Sequence, residues 1–305
     1  MASAAELGFT AAWRVVRALP MGVTSPFFAA AAAVTVRRRG RGVQRLAGNL
    51  RRVVGPEMPQ DQLDALVRRG MRSYTRYWQE AFKLPAFTPE KVRGWFRLYG
   101  EEAMAEAVAA GKGVVIALPH AGNWDAAGAW VAAKGWPITT VAERLSEGVY
   151  EQFLAFRRKL GMEIIPATGG DRPPLDILAE RLKEGAVVPL LADRDLSRRG
   201  VDVTFFGGRS RMPAGPALLA LRTGAPLYVA HLWYEPDRPV AEFDGPIEPP
   251  ADGPLDARVR ELTQRVADRL AVGIARHPED WHMLQRVWLA DTAAEPTTEP
   301  APEPA

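Results

Sequence analysis

The sequence predicts an α/β fold, with a mainly parallel mixed sheet flanked by helices and an N-terminal membrane-associated helical segment. Two observations predict the sheet. Short apolar runs rich in valine, isoleucine and leucine alternate along the chain with stretches of helical periodicity, as in βαβ units. Charged residues follow several of these runs directly, at the strand ends where open α/β sheets bind ligands. The 305 residues include no cysteine, so the fold uses neither disulfides nor thiolate metal sites.

The first element is an uncharged, largely apolar run of 19 residues, 18–36, followed by an arginine cluster at 37–41. A transmembrane helix needs roughly 20 apolar residues, and Pro20 and Pro26 interrupt this run. A cleaved secretory signal and a nucleic-acid patch are further alternatives, although no aromatic residues interleave the arginines. We expect the segment to lie on the cytoplasmic face of the plasma or inner membrane, as a peripheral or monotopic anchor whose arginines meet anionic headgroups.

Two helices are expected before the first strand. From Asp61 to Phe82, apolar residues recur at three- and four-residue steps, which predicts a helix capped by Asp61 with an ordinary core-facing stripe. A second helix is expected from Glu101 to Ala110, since Gly111 supplies a helix stop.

The most informative stretch comes next. The run from Val114 to Leu118 predicts a buried strand, and His120 and Asp125 follow it five residues apart. The chain between them leads into a helix expected from Ala126 to Ala133, so the two side chains can face each other across a strand-to-helix turn. An imidazole oriented by a carboxylate is a general base. A structural histidine–aspartate pair is the alternative.

The elements after this turn repeat the alternation. Strands are predicted at 138–142, 163–166 and 186–191, and helices at 153–160 and 175–183. Glu143 follows the first of these strands, and Asp193 and Arg194 follow the last. Because parallel strands share one carboxyl edge, we expect these side chains around His120, with Asp193 as a second carboxylate able to orient the imidazole. Solvated surface charges are the alternative for each residue taken singly.

The segment Leu118–Asp125 resembles the His-x-x-x-x-Asp motif of glycerolipid acyltransferases, in the His-x-Gly-Asn-Trp-Asp form of the lipid A late-acyltransferase branch. Asp193 stands where relatives often carry glutamate. The resemblance extends over residues 60–290, and the Asp/Glu-Gly-Thr-Arg motif of the glycerol-phosphate branch has no match. Further segments resemble elements of this family: Phe153–Gly161, Phe205–Gly207, Arg211–Pro216 and Pro278–His282. Within the family, the resemblance is strongest to the branch that acylates phosphatidylinositol mannosides.

This resemblance implies transfer of a fatty acyl group, typically palmitoyl, from acyl-CoA to a mannose hydroxyl of a membrane glycolipid. It implies no cofactor besides the acyl-CoA co-substrate. We expect no metal, because none of the four histidines shows the paired spacing of a zinc site, and no nucleic-acid partner, because no binding motif accompanies the arginines. His120 would be the general base, Asp125 would hold its tautomer, and Asp193 would assist. Substrate binding is expected of Glu143, Arg157, Arg194, Arg199 and Arg222.

We accordingly divide the chain into a membrane-proximal segment 1–55, an acyltransferase domain 56–290 and a disordered tail 291–305. Other functions remain compatible with the same residues. A lipid A-type enzyme acting on another glycolipid would share almost every motif, and the same histidine and carboxylates can activate water in an acyl-CoA or lipid hydrolase. A non-enzymatic lipid carrier with a structural histidine–aspartate pair is the last alternative.

Overall fold

The computed structural model describes residue 13 and residues 15–142, 154–195 and 200–292. Glu143, Arg199 and the tail beyond residue 292 lie outside the described residues. The described residues form a mixed α/β fold in which helices flank a central sheet, as the sequence predicts.

The helices and strands alternate through most of the chain. The helices are α1 (Met21–Arg38), α2 (Arg41–Val54), α3 (Gln60–Lys83), α4 (Pro89–Trp95), α5 (Glu101–Ala109), α6 (Trp124–Ala133), α7 (Pro174–Lys183), α8 (Gly215–Thr223), α9 (Leu255–Arg276) and α10 (Leu289–Thr292). Residues 154–159 are also helical. The strands are β1 (Arg97–Tyr99), β2 (Val114–Leu118), β3 (Thr139–Ala142), β4 (Glu163–Pro166), β5 (Val187–Leu191), β6 (Val201–Phe205), β7 (Gly208–Met212), β8 (Leu227–Tyr234) and β9 (Pro239–Asp244).

The central sheet has the strand order β1-β9-β8-β2-β5. The β8–β9 pair is antiparallel and the other three pairs are parallel, so the predicted mainly parallel mixed sheet is confirmed. The strands β3 and β4 form a separate parallel pair, joined to β5 through a bridge between Ile138 and Val187. β6 and β7 form an antiparallel hairpin that leads into α8.

The register of β2 and β5 positions the site. Leu118, the last residue of β2, pairs with Leu191, the last residue of β5, and the Ala192 N–H donates to the Leu118 carbonyl at 2.9 Å. Continuing this parallel register by two residues brings His120 opposite Asp193. The sequence prediction that these strand ends share one edge is therefore confirmed.

Helices α1, α2 and α3 form a second, smaller apolar cluster beside the main core. The predicted stripe on α3 is buried in it at Leu63, Leu66, Val67 and Met71. Asp61 does not cap α3 as predicted, because the helix begins one residue earlier at Gln60, after Pro59. Asp61 instead lies in the first turn, where its charge faces the positive end of the helix dipole.

Helix α1 covers most of the apolar run at 18–36 and continues through Pro26. Among the residues that the structure describes, no helix has the length and apolar character needed to cross a bilayer.

Candidate active site

The imidazole of His120 is bound by the carboxylate of Asp193. His120 Nδ1 lies 2.6 Å from Asp193 Oδ1, and the backbone N–H of His120 donates to Oδ2 of the same carboxylate at 2.9 Å. Within the described parts of the chain, Nε2 of His120 has no hydrogen-bond partner, and the His120 side chain is 29% exposed. With the proton on Nδ1, Nε2 carries the lone pair of a general base that a substrate can reach.

Asp193 is fully buried at 0% exposure. Its Oδ2 atom also accepts a hydrogen bond from the indole N–H of Trp281 at 2.8 Å. Burial alone would raise the pKa of Asp193, but the charge of His120 and the hydrogen bonds from His120 and Trp281 outweigh burial and lower it. Asp193 is therefore ionised at neutral pH and stabilises a protonated His120.

The expected pairing of Asp125 with His120 is wrong. Oδ2 of Asp125 accepts from the hydroxyl of Tyr77 at 2.8 Å, and Oδ1 accepts from Nε of Arg157 at 2.8 Å. Asp125 is the second residue of α6, so the start of that helix turns its carboxylate toward α3 and the helix at 154–159. The carboxylate that orients His120 is Asp193.

Asp125 and Arg157 form a buried ion pair, with side chains 2% and 19% exposed. Burial favours the neutral form of Arg157, but the charge of Asp125 and its hydrogen bonds outweigh burial and raise the pKa of Arg157. The Tyr77 hydroxyl has its pKa raised by burial and by the Asp125 charge, so it stays a donor. Asp125 thus holds a permanent cation in a fixed orientation.

The residues between His120 and Asp125 shape the turn. Gly122 has φ of +54°, and a Cβ there would lie 2.9 Å from backbone atoms of Leu232 and Trp233, so no side chain fits. Asn123 caps α6, since its Oδ1 accepts from the Ala126 N–H at 2.9 Å. Its amide group donates to Oε2 of the buried Glu80 at 2.8 Å, which ties the cap to α3.

The segment 280–282 holds this turn from the other side. The Gly122 N–H donates to the Asp280 carbonyl at 2.9 Å, and the His282 N–H donates to the His120 carbonyl at 2.7 Å. The hydroxyl of Ser73 lies between the side chains of the same segment, donating to Asp280 at 2.5 Å and lying 2.8 Å from His282 Nε2. Burial, with a smaller contribution from the charge of His120, lowers the pKa of His282 to about 3, so its ring is neutral.

An apolar cavity lies beside this site. It measures about 860 Å³, a volume that includes the solvent-filled space at its open mouth. Sheet and helix side chains line it, among them Ile116, Leu118, Pro189, Leu191, Ala230, Leu232, Ala127, Gly128, Trp130 and Val131. Asp125 and Arg157 also line it, and so does Trp124, whose ring meets the His120 ring edge-on at 5.8 Å. The polar side chains of this candidate site therefore adjoin a largely apolar space.

A family model described as bacterial lipid A biosynthesis acyltransferase matches residues 6–290. The chain belongs to this acyltransferase family. The family resemblance carried by the sequence motifs is confirmed, and the histidine at the end of β2 lies in the turn that carries that resemblance.

Curated relatives of this acyltransferase are similar over almost the whole chain. The phosphatidylinositol mannoside acyltransferase of Mycolicibacterium smegmatis is 45% identical over 295 residues, which cover 95% of this chain and 93% of that protein. The phosphatidylinositol mannoside acyltransferase of Mycobacterium tuberculosis is 44% identical over 292 residues, which cover 95% of this chain and 90% of that protein.

The other residues predicted to bind substrate have different surroundings. Glu143 and Arg199 lie outside the described residues. Arg194 is half-buried and follows Asp193 directly. Arg222 is exposed at the end of α8, where it pairs with Asp176 of α7 at 2.9 Å, and it does not line the cavity. The structure thus brings Arg157 to the candidate site, places Arg194 next to Asp193 in the chain, and leaves Arg222 outside the cavity.

The polar contacts that α3 makes in this site were not predicted from the sequence. Ser73, Arg76, Tyr77 and Glu80 follow the three- and four-residue steps of one helical face, and all four make polar contacts. This polar stripe beside the apolar stripe is the sequence signal that could have indicated a polar site on α3. Trp281 belongs to a segment that the resemblance covered, but nothing local to it indicated a contact with Asp193. In the described ranges, no group of three or more acidic or histidine side chains is placed to hold a metal ion.

Proposed function

We propose that this acyltransferase transfers a fatty acyl group from acyl-CoA to a mannose hydroxyl of phosphatidylinositol mannoside. We propose palmitoyl as the acyl group. The single observation that carries the proposal is the His120–Asp193 pair beside an apolar cavity. The names of two relatives at 44–45% identity support the acceptor. The apolar lining of the cavity supports a hydrocarbon chain as the group that is transferred.

In the proposed mechanism, His120 Nε2 takes the proton of the acceptor hydroxyl as its oxygen attacks the thioester carbonyl carbon. The carbon–sulfur bond then breaks, and the imidazolium returns the proton to the thiolate of coenzyme A. Asp193 fixes the required tautomer and stabilises the imidazolium through its 2.6 Å contact with Nδ1. General-base assistance of this kind typically contributes ~10²–10⁴ in rate.

The oxyanion that develops on the carbonyl needs hydrogen-bond donors. The N–H groups of His120, Ala121 and Gly122 already donate within the protein, to Asp193, Pro119 and Asp280 respectively. Among the described residues, the N–H groups of Trp124 and Asp125 at the start of α6 have no acceptor. We place the oxyanion at this helix N-terminus, whose dipole favours negative charge.

The acyl chain would occupy the cavity between the central sheet and α6. Asp125 and Arg157 are the charged residues that line this cavity, and Nη1 of Arg157 does not bind Asp125, whereas Nε and Nη2 do. We propose that Arg157 binds the acyl-CoA near the thioester, with Arg194, Glu143 and Arg199 completing the substrate contacts.

The exposed apolar side chains of α1 support the proposal that the reaction takes place at a membrane surface. Val23, Phe27 and Val34 on α1 are 48%, 71% and 47% exposed, a concentration of exposed large apolar side chains. Between residues 7 and 56 the chain carries nine arginines and no acidic residue. We propose that α1 lies on the cytoplasmic face of the membrane, with its apolar side chains in the interface and the arginines at 37–41 on anionic headgroups.

Mass spectrometry of the products tests the reaction. Purified protein is incubated with palmitoyl-CoA and phosphatidylinositol mannoside, and the expected product carries one new palmitoyl ester on mannose. His120→Ala should abolish transfer while the circular dichroism spectrum is retained. Release of free thiol without acceptor would instead establish a hydrolase, and transfer to another glycolipid in preference would establish the lipid A-type alternative.

Sedimentation with vesicles tests the membrane surface. Val34 of α1 and Val272 of α9 are both 47% exposed, so they form a matched pair. Val34→Glu should weaken binding to vesicles containing phosphatidylglycerol, whereas Val272→Glu should not. Equal binding of both variants would contradict the proposed orientation.

A further inference from the structure

We propose that Trp281 is a positioning residue for the catalytic pair, because its indole N–H holds the Asp193 carboxylate in the orientation in which that carboxylate binds His120. This inference rests on the proposed role of His120 as general base. It adds to that role a third residue that reaches the reacting atoms only through Asp193.

The two carboxylate oxygens of Asp193 bind different groups. Oδ1 binds Nδ1 of His120 at 2.6 Å, while Oδ2 accepts from the His120 backbone N–H at 2.9 Å and from the indole of Trp281 at 2.8 Å. Both Asp193 and Trp281 are 0% exposed, so water cannot readily replace the indole. An indole nitrogen can only donate and an ionised carboxylate can only accept, so the direction of this hydrogen bond is fixed.

The indole and the His120 turn belong to one hydrogen-bonded unit. Trp281 bridges to Ala121, while its neighbours Asp280 and His282 bind the backbone of Gly122 and His120. The tripeptide 280–282 therefore fixes the base through its backbone and the carboxylate through the Trp281 side chain. A displacement of this tripeptide would move both members of the pair together.

The tripeptide is itself held from α3 and β8. Ser73 binds the side chains of both Asp280 and His282, and the Tyr234 N–H donates to Asp280 Oδ2 at 2.9 Å. Because the single Ser73 hydroxyl hydrogen goes to Asp280, Ser73 accepts from His282 Nε2–H, and the ring is fixed in that tautomer. The tripeptide 280–282 is thus held by hydrogen bonds from both α3 and β8.

Loss of the indole donor would leave the buried Oδ2 atom with one donor in place of two. The carboxylate would then hold its charge less favourably and attract the proton shared with His120 more strongly. We expect the acid limb of the pH dependence of kcat/KM to move to higher pH. Among the residues that the structure describes, other titratable groups near this region include His282, Asp280, Tyr77, the Asp125–Arg157 pair, and Arg194 and Asp195, which follow Asp193 in the chain.

Trp288 provides a matched control. It is also 0% exposed, and its indole N–H also donates over 2.8 Å, but to the carbonyl of Phe205 and not to the catalytic pair. Trp281→Phe and Trp288→Phe each delete one buried indole donor and a similar volume. A purely structural role for Trp281 predicts the same outcome for both variants.

The experiment compares the two variants in the full chain. Trp281→Phe should lower kcat about tenfold, less than the ~10²–10⁴ expected for removing the base, leave KM for acyl-CoA within about twofold and shift the acid limb upward. Trp288→Phe should leave the pH profile unchanged. Coincident pH profiles for Trp281→Phe and the unsubstituted protein would overturn the proposal.

A second measurement uses the unsubstituted protein, so it does not depend on whether a variant folds or is active. In nuclear magnetic resonance spectra of the unsubstituted protein, the Trp281 indole N–H signal should titrate with the same midpoint as the His120 ring, while the Trp288 signal stays constant. An indole signal of Trp281 that ignores the protonation of His120 would overturn the proposal. If acyl transfer itself is not observed, this titration still tests the positioning, so the two failures are distinguishable.

Discussion

Substitution of Asp193 by asparagine tests most directly which carboxylate orients the base. Three donors face Asp193: the Nδ1–H and backbone N–H of His120 and the indole of Trp281. An amide offers one acceptor oxygen and one donor NH₂, so it cannot satisfy all three. If the oxygen faces the two donors at Oδ2, the NH₂ group faces Nδ1 and forces the His120 proton onto Nε2.

That tautomer has no lone pair on the atom that must remove the hydroxyl proton. Asp193→Asn should therefore lower kcat by ~10²–10⁴, the contribution of a general base, with a smaller change in KM. The alternative amide orientation places NH₂ against two buried donors, and each lost hydrogen bond to a charged group costs ~1.5–3 kcal/mol. Either orientation removes the stabilisation of the imidazolium.

The matched variant is Asp125→Asn. Asp125 binds Arg157 and Tyr77, so its amide should raise KM for acyl-CoA and leave the acid limb of the pH profile in place. The assay is initial-rate thiol release and ester formation across pH 5–9, with circular dichroism as the check on folding. Equal losses of kcat in the two variants, or a shifted acid limb in Asp125→Asn alone, would refute the assignment.

Three further predictions concern the cavity, the pH dependence of stability and the turn. A Cβ on Gly128 would meet the flexible end of Met162 at 2.8 Å, so Gly128→Leu should fill part of the cavity and shift preference from palmitoyl to shorter chains in a competition assay; an unchanged preference would contradict the proposed acyl site. The pKa of His282 is lowered to about 3, chiefly by burial, so the folded state gains stability above the unfolded pKa of ~6.5 and loses it as pH falls toward 3. That loss is about 2 kcal/mol at pH 5, and urea unfolding of His282→Gln should lack it; a retained slope would show that another group is responsible. Asn123→Ala should cost about 2–4 kcal/mol in the same unfolding assay, through the lost α6 cap and the lost hydrogen bond to Oε2 of the buried Glu80, whose Oε1 still pairs with Arg76, and a cost below about 1 kcal/mol would contradict the double role of the amide.

Four of the strands, those between residues 114 and 191, were predictable because they depend on local sequence, whereas β1 and β6 to β9 were not predicted. The runs at 114–118 and 163–166 have the predicted bounds, and their apolar character follows from burial in the sheet. The proximity of His120 and Asp193 was also predictable, since parallel strands share a carboxyl edge. The closing β8–β9 pair is antiparallel because a short connection between neighbouring strands permits no crossover.

The partner of Asp125 was not predictable from its distance of five residues to His120. A spacing across a turn does not fix where a side chain points, because the start of α6 at Trp124 decides that direction. The residues that bind Asp125 come from positions 77 and 157, far away in the chain. The contact of Trp281 with Asp193 spans a longer gap of 88 residues and likewise depends on tertiary packing.

The two buried carboxylates bind different partners: Asp193 binds His120, and Asp125 binds Arg157 and Tyr77. Helix α3 connects this site to α1. Tyr77 of α3 binds Asp125, while Glu80, one turn further along, binds Asn123. Between them, Gln79 donates to the Thr24 hydroxyl of α1 at 2.7 Å. Because a helix is rigid over a single turn, the helix that we place on the membrane and the turn that carries the base are held at a fixed separation. A displacement of α1 large enough to break the Gln79 contact would therefore act first on α3, and through it on Arg157 bound by Asp125, before it reached His120 bound by Asp193.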